Sequence, residues 1–166
     1  DLINEAWFNA VRGNHEDMLI KAYQDPERWY EQWMRNGGTW SQTLDQETLG
    51  AYAERLSKLP LAISVGEGET RFNVFHAEFF GSDESLDQSE YSDPVREQIL
   101  WGRSLVRDAS KKDLHSGLSK SFCGHTPLQK PAKIGSHIYL DTGCGYPNKL
   151  GKLTIVNPAA MRFYSV

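Results

Sequence analysis

The sequence predicts a single domain of mixed α and β structure, and three observations lead to that prediction. Apolar residues recur at helical spacing in the first third of the chain, then switch after Pro60 to the short runs typical of strands. The chain has 166 residues, 39% of them hydrophobic, which is enough to form the core of one domain without disulfides. No repeat, low-complexity tract or linker divides it, so residues 1–166 are expected to form one domain.

The first sixty residues are predicted to hold one strand and three helices. Residues 7–11 form an apolar run that indicates a short buried strand, followed by a turn at Gly13-Asn14. Asp25-Pro26 marks a helix start, because aspartate caps helices and proline is favoured at the first helical position. The three helices are expected at residues 16–24, from Pro26 until Gly37, and at residues 45–58.

After Pro60 the pattern becomes that of strands. Residues 61–65 and 71–75 are predicted to pair as a hairpin around a glycine-bearing loop. Residues 81–92 are polar and are predicted to form a loop, and a helix is expected to begin at Asp93-Pro94. Residues 110–120 are polar again. Four further strands are expected at residues 121–123, 137–140, 152–156 and 161–164.

Composition excludes several classes of function. The net charge of −4 argues against a non-specific nucleic-acid binder, which would carry a basic excess. No apolar run approaches the ~20 residues that a membrane span requires. The two cysteines, Cys123 and Cys144, lack metal-binding or redox spacing, so a reducing, cytoplasmic compartment is expected.

Three segments share one layout, in which an apolar strand precedes a sharp turn that carries a side chain able to bind a metal. These side chains are Asn14, His76 and His125, and the carboxyl ends of strands are where ligand sites collect in α/β proteins. One amide oxygen and two imidazoles suit Mn, Fe or Zn better than Ca or Mg, and His15 would be left for proton transfer. A single histidine after a strand is more often a hydrogen-bonded structural residue, and Gly-Asn-His also suits a plain turn. The recurrence of the layout favours a site.

These segments resemble the calcineurin-like metallophosphoesterases, in particular the phosphoprotein-phosphatase branch with its phage and bacterial members. Arg12-Gly13-Asn14-His15-Glu16 is similar to the third signature of that family. Val74-Phe75-His76-Ala77-Glu78, Leu100-Trp101-Gly102-Arg103 and Gly124-His125-Thr126-Pro127 follow in the family's order. The resemblance covers nearly the whole chain.

The resemblance implies a fold and a set of roles. The fold would be a two-sheet sandwich flanked by helices, with residues 16–58 as a helical cap region. Asn14, His76 and His125 would bind the second of two divalent metal ions, which would be Mn, Fe or Zn. His15 would be the catalytic histidine, Arg103 would clamp the substrate phosphate, and Arg12 would be a supporting arginine.

The activity that the resemblance implies is metal-dependent hydrolysis of phosphate monoesters. The substrate would be a protein phosphorylated on serine or threonine, or a small phosphoester, with no nucleic acid or membrane as partner. Symmetrical hydrolysis of diadenosine tetraphosphate is an alternative with the same chemistry. An alternative of another class is a non-catalytic fragment or binding module. The oligomeric state stays open.

The chain departs from the family in one respect. The family's first two signatures, Asp-x-His and Gly-Asp-x-x-Asp-Arg, supply the ligands of the first metal and the bridging carboxylate, and residues 1–166 carry no convincing counterpart. Asp113-Leu114-His115-Ser116-Gly117 mimics the first signature, but it follows Ser110-Lys111-Lys112, not an apolar strand, and is predicted to be a solvated loop. We therefore expect the N-terminal strands of the fold to be missing, at most one complete metal site, and negligible activity from this chain alone.

Overall fold

The computed structural model describes residues 2, 5–108, 110, 117–146 and 151–166. It is a mixed α/β structure with a mixed five-stranded sheet, which confirms the predicted fold class. The chain divides into two compact units, Asp1–Pro60 and Leu61–Val166. Asp113 and His115 lie outside the described residues, so the predicted loop there stays a prediction. In the described part of the chain, every helix is too short or too polar to cross a bilayer.

The first unit is helical. Its elements are α1 (Asn14–Gln24), α2 (Pro26–Arg35), a 3-10 helix (Gly38–Thr43) and α3 (Gln46–Ser57). Asp25 and Asp45 cap α2 and α3, because their carboxylates accept hydrogen bonds from Arg28 N at 3.3 Å and Thr48 N at 2.7 Å. Helix α1 packs against both α2 and α3. The three predicted helices are confirmed.

The strand predicted at residues 7–11 is wrong. Residues 8–13 belong to no strand, and the Trp7 side chain is 70% exposed. An apolar run becomes a strand only when a second strand pairs with it, and no segment of the described residues does so. The Phe8 amide of this run donates a hydrogen bond to the nearby Glu5 carbonyl at 3.0 Å, and the Arg12 amide, just after the run, donates to the Pro60 carbonyl at 2.8 Å.

The second unit is built on a sheet with the strand order β1-β2-β3-β5-β4. The strands are β1 (Ala62–Val65), β2 (Phe72–Phe75), β3 (Lys120–Cys123), β4 (Ala132–Ile134) and β5 (His137–Tyr139). The predicted hairpin is confirmed, because β1 and β2 pair antiparallel. Strands β2, β3 and β5 are mutually parallel, and β4 closes the edge antiparallel to β5. Strand β4 is an element that the sequence pattern did not predict.

Helices cover part of this unit. They are α4 (Asp83–Asp87), α5 (Asp93–Trp101) and α6 (Ser104–Arg107), and a separate hairpin pairs β6 (Thr154–Asn157) with β7 (Arg162–Ser165). The loop predicted at residues 81–92 therefore needs correction, because it contains α4. This polar helix forms because Ser82 caps it and because Arg71 pairs with two of its carboxylates, those of Asp83 at 3.2 Å and Asp87 at 2.7 Å.

The core of the second unit is formed by residues of the sheet, of α4, α5 and α6, and of the segments that connect them. Its fully buried members include Phe75, Ile99, Leu105 and Tyr139. Strands β2 and β3 are parallel neighbours, so they end at the same edge of the sheet, at Phe75 and Cys123. The segments that follow these two ends carry the predicted histidines.

Candidate functional site

Two of the predicted site histidines, His76 and His125, lie side by side at the edge where β2 and β3 end. His76 Nε2 and His125 Nδ1 are 3.0 Å apart, and the ring centroids are 4.9 Å apart. The Gly124 amide donates a hydrogen bond to the His76 carbonyl at 2.9 Å, which ties the two turns together. The juxtaposition follows from the parallel pairing of β2 with β3.

His125 occupies a strained backbone conformation. Its φ of +65° lies in the left-handed region, which costs a non-glycine residue on the order of 1–2 kcal/mol. The following turn is held by a hydrogen bond from Thr126 N to the Gly124 carbonyl at 2.7 Å. Strain of this kind concentrates at functional sites, where the surrounding structure maintains it.

Arg103 reaches the same histidine from another part of the unit. It lies between α5 and α6, and its Nε donates a hydrogen bond to His125 Nε2 at 3.0 Å. An arginine nitrogen can only donate, so His125 Nε2 is the acceptor of this hydrogen bond. The Trp101 ring packs edge-on against His125 with its centroid 6.0 Å away. The second unit thus brings His76, His125 and Arg103 into one connected group.

The donor set fits a borderline divalent metal. Imidazole nitrogens are ligands of Mn, Fe and Zn, and two nitrogens bound about 2.1 Å from one ion at a right angle are about 3 Å apart. His76 Nε2 and His125 Nδ1 have that separation. Among the residues that the structure describes, no group of three or more His, Cys, Asp or Glu side chains could hold a metal.

The other predicted site residues belong to the first unit. Asn14 is the buried first residue of α1. His15 follows it on the exposed side of the helix, where its ring meets that of Trp33 edge-on with centroids 6.4 Å apart. Trp33 is itself buried, and its Nε1 donates to Ser41 Oγ at 3.1 Å. These contacts give the His15 ring a fixed neighbour on one side.

Arg12 is held by the end of α3. Its Nη2 donates to the carbonyl oxygens of Ser57 and, at 3.2 Å, Leu59, and its Nη1 lies 4.0 Å from Asp17 Oδ1. A cation at a helix C-terminus is favoured by the exposed carbonyls and the helix dipole. The described contacts of Arg12 therefore show that it binds the carbonyl groups at the end of α3. The supporting active-site role that the resemblance implies would be additional to this one.

Sequence reasoning assigned no role to Glu78, Trp101 or Tyr139, although all three lie in or beside the site. Burial raises the pKa of the Tyr139 hydroxyl well above its usual range. The nearby Cys123 thiol and the Glu78 carboxylate, which accepts a hydrogen bond from the Tyr139 hydroxyl, raise this pKa further. Burial likewise raises the pKa of the Cys123 thiol, with Glu78 again contributing. The sequence feature that could have identified Glu78 and Trp101 is their position. Glu78 follows His76 by two residues, and Trp101 precedes Arg103 by two.

The chain is similar in sequence to three bacterial serine/threonine protein phosphatases. The chain is 31% identical over 153 residues to Serine/threonine-protein phosphatase 1 of Salmonella typhimurium, covering 90% of this chain and 67% of that protein. It is 27% identical over 147 residues to Serine/threonine-protein phosphatase 2 of Escherichia coli, covering 86% and 65%. It is 28% identical over 149 residues to Serine/threonine-protein phosphatase 2 of Salmonella typhimurium, covering 86% and 65%. The chain therefore spans about two thirds of the length of these relatives. No profile of a protein family matches it.

Proposed function

The chain belongs to the metallophosphoesterase family of the bacterial serine/threonine protein phosphatases. From that membership we propose that it carries part of the active site of a phosphoric monoester hydrolase. The proposed substrates are proteins phosphorylated on serine or threonine, as the names of the relatives suggest. The observation that carries the proposal is the connected group of His76, His125 and Arg103, joined through two 3.0 Å contacts.

Two divalent metal ions in the intact enzyme, drawn from Mn, Fe or Zn, complete the proposal. His76 and His125 would hold one of them, with Asn14 as the further ligand that the family resemblance implies. A bound ion of this kind neutralises phosphoryl oxygens and activates a water molecule at neutral pH.

Arg103 would bind the phosphoryl group. A guanidinium can donate to two phosphoryl oxygens at once, and its Nε bond to His125 orients the plane of the group. Among the described residues, no hydrogen bond engages the two Nη nitrogens of Arg103, so the forked edge is available to a substrate. His15 would give a proton to the leaving oxygen as the ester bond breaks.

A second part of the proposal concerns the activity of residues 1–166 on their own. Residues 1–166 contain neither family signature for the first metal in a strand-turn context, so we propose that this chain alone does not turn over substrate. A cytoplasmic location also stays a prediction.

The test is a substrate panel on the gene product that includes the coding sequence upstream of Asp1. With Mn added, we expect hydrolysis of a phosphoserine peptide and of p-nitrophenyl phosphate, and loss of that hydrolysis on chelation. Preferential cleavage of diadenosine tetraphosphate would favour that alternative substrate. Absence of hydrolysis from a product that carries Asp-x-His and Gly-Asp-x-x-Asp-Arg would contradict the proposal.

A further inference from the structure

Glu78 is a wholly buried acidic residue that the proposed function does not use. It lies two residues after His76, and its exposed fraction is 0%. Burying a carboxylate is costly unless hydrogen bonds or a cation compensate for the lost water. Among the described residues, no Lys, Arg or His forms an ion pair with Glu78, so hydrogen bonds provide the compensation.

Four hydrogen bonds converge on the Glu78 carboxylate. Oε2 accepts from Ser104 N at 2.9 Å and from Ser104 Oγ at 2.8 Å. Oε1 accepts from Leu105 N at 2.8 Å and from the Tyr139 hydroxyl at 2.9 Å. Each oxygen therefore receives one backbone N–H, which can only donate, and one hydroxyl. Hydrogen bonds to a charged acceptor are about twice as strong as neutral ones.

The bonds of Glu78 join three parts of the second unit. Glu78 belongs to the segment after β2, Tyr139 ends β5, and Ser104 and Leu105 form the first turn of α6. Three of the four donors belong to that turn, and Arg103 is the residue immediately before it. The carboxylate thus holds the backbone from which the Arg103 side chain extends.

The turn before α6 lies directly against Glu78. A Cβ atom on Gly102 would come within 2.7 Å of both Glu78 Cβ and the Gln98 carbonyl oxygen, so only glycine fits there. The Ala77 amide donates to the Ile99 carbonyl at 2.8 Å, and the Phe80 amide donates to Gln98 Oε1 at 3.1 Å, which tie the same segment to α5. The backbone on both sides of Arg103 is therefore anchored to the segment that carries His76.

We propose that Glu78 is a positioning residue for Arg103: its buried carboxylate holds the α6 turn so that Arg103 Nε meets His125 Nε2. The geometry is independent of the proposed function, whereas its consequence for phosphate binding rests on that function. The competing explanation is that Glu78 only stabilises the unit.

The first experiment measures the Arg103 Nε–H resonance by NMR in the 166-residue chain, assigned by its loss in Arg103→Ala. In Glu78→Gln the side-chain amide keeps the shape of the carboxylate. Its NH2 group, however, faces a backbone N–H of the α6 turn, and two donors cannot form a hydrogen bond. We expect Arg103 Hε to exchange with water about tenfold faster, as for the loss of one hydrogen bond, while the amides of β2 and β3 stay protected.

The matched control is Tyr139→Phe. It removes one hydrogen bond to Glu78 from the β5 side and leaves the donors of the α6 turn in place. We expect it to lower the melting temperature without changing the exchange of Arg103 Hε. Equal Arg103 exchange in Glu78→Gln and Tyr139→Phe would overturn the proposal in favour of a purely stabilising role.

A milder variant covers the case in which Glu78→Gln fails to fold. Ser104→Ala removes one hydroxyl donor to Oε2 and keeps the backbone donors. We expect a several-fold faster exchange of Arg103 Hε, and unchanged exchange in this variant would overturn the proposal.

Kinetics on the upstream-extended protein separate this inference from the proposed function. We expect Glu78→Gln to raise KM for the phosphate ester in the same direction as Arg103→Ala, and to add little in the double variant. An unchanged KM in Arg103→Ala would refute the phosphate-binding role of Arg103. The exchange rate of Arg103 Hε would then be the measurement that decides whether Glu78 positions Arg103. A raised KM in Arg103→Ala with an unchanged KM in Glu78→Gln would refute the positioning role.

Discussion

At the scale of single residues, His125 is the centre of the described site. One ring nitrogen faces His76, the other accepts a hydrogen bond from Arg103, and Trp101 packs on the ring. Its backbone has a positive φ, which carries a cost in conformational energy. A residue held in this way is already oriented before any ligand binds, which lowers the entropic cost of binding.

Replacing His76 with alanine should weaken metal binding. Losing only a hydrogen-bond partner of a metal ligand costs about 10–100-fold in affinity, so losing a ligand should cost at least that much. Titration of the 166-residue chain with Zn would measure the effect. His115→Ala is the control, because residue 115 lies in the segment predicted to be a solvated loop. Equal Zn affinity in His76→Ala and the unsubstituted chain would exclude His76 from the ligand set.

His15→Asn should act on the chemical step. General acid catalysis is typically worth about 10²–10⁴-fold, so kcat of the upstream-extended enzyme should fall by about that factor with KM nearly unchanged. Steady-state kinetics on a phosphate ester would measure both constants. Recovery of activity with excess Mn would show that His15 is a metal ligand and not the acid.

At the scale of elements, the connections between helices and turns decide local stability. Helix α4 is mostly polar, yet it forms because Arg71 pairs with Asp83 and Asp87 and because Ser82 caps its first turn. The hydrogen bond from Arg71 holds the pKa of the Asp87 carboxyl below its usual range. The same pairing raises the pKa of Arg71.

Stability should therefore fall in acid partly through this cluster. A depressed folded-state pKa means that the Asp87 contribution is present above the unfolded value of 3.8 and is lost as the pH falls through the lower folded value. The free energy of unfolding should fall less between pH 6 and pH 3 in Arg71→Met than in the unsubstituted chain. Urea unfolding at the two pH values measures this difference. Arg35→Met, which breaks an exposed pair with Glu31, is the control and should leave the pH dependence unchanged.

Gly38→Ala should destabilise the first unit. A Cβ at this position would lie 2.5–2.6 Å from atoms of the buried Trp33 ring, and overpacking of this kind costs about 1–3 kcal/mol. Thermal or urea unfolding with tryptophan fluorescence would report it. Gly145→Ala is the matched control, because a Cβ there meets no atom within 4 Å. Similar stability in the two variants would show that Trp33 moves aside without cost.

At the scale of the whole molecule, the chain is two compact units that each hold part of the predicted residue set. The first carries Arg12, Asn14 and His15, and the second carries His76, Arg103 and His125. The relatives are longer than this chain, which spans about two thirds of their length. Its activity must therefore be judged separately from theirs.

Residues 1–166 alone should show negligible turnover of p-nitrophenyl phosphate with Mn added. The reason is that no convincing counterpart of the bridging carboxylate occurs in the sequence, so an attacking water would lack one of its two metals. A continuous assay against an intact bacterial relative measures this. Turnover near that of the relative would contradict it.

The sequence alone was sufficient where the signals are local. Helices α2 and α3 were predictable because Asp25-Pro26 and Asp45 mark their starts, and the β1–β2 hairpin because glycines interrupt two apolar runs. The family signatures likewise identified the chemistry-bearing residues by type and order.

Only the tertiary structure decided what depends on distant partners. Residues 7–11 looked like a strand but have no strand paired with them in the described chain, and β4 appears because β5 offers it an edge. His76 and His125 meet because β2 pairs parallel with β3 across 44 intervening residues of chain (from Phe75 to Lys120). Glu78 gained a role only when β5 and α6 supplied its four donors. A sequence records the propensity of each segment, whereas hydrogen bonds between remote segments form only in the folded chain.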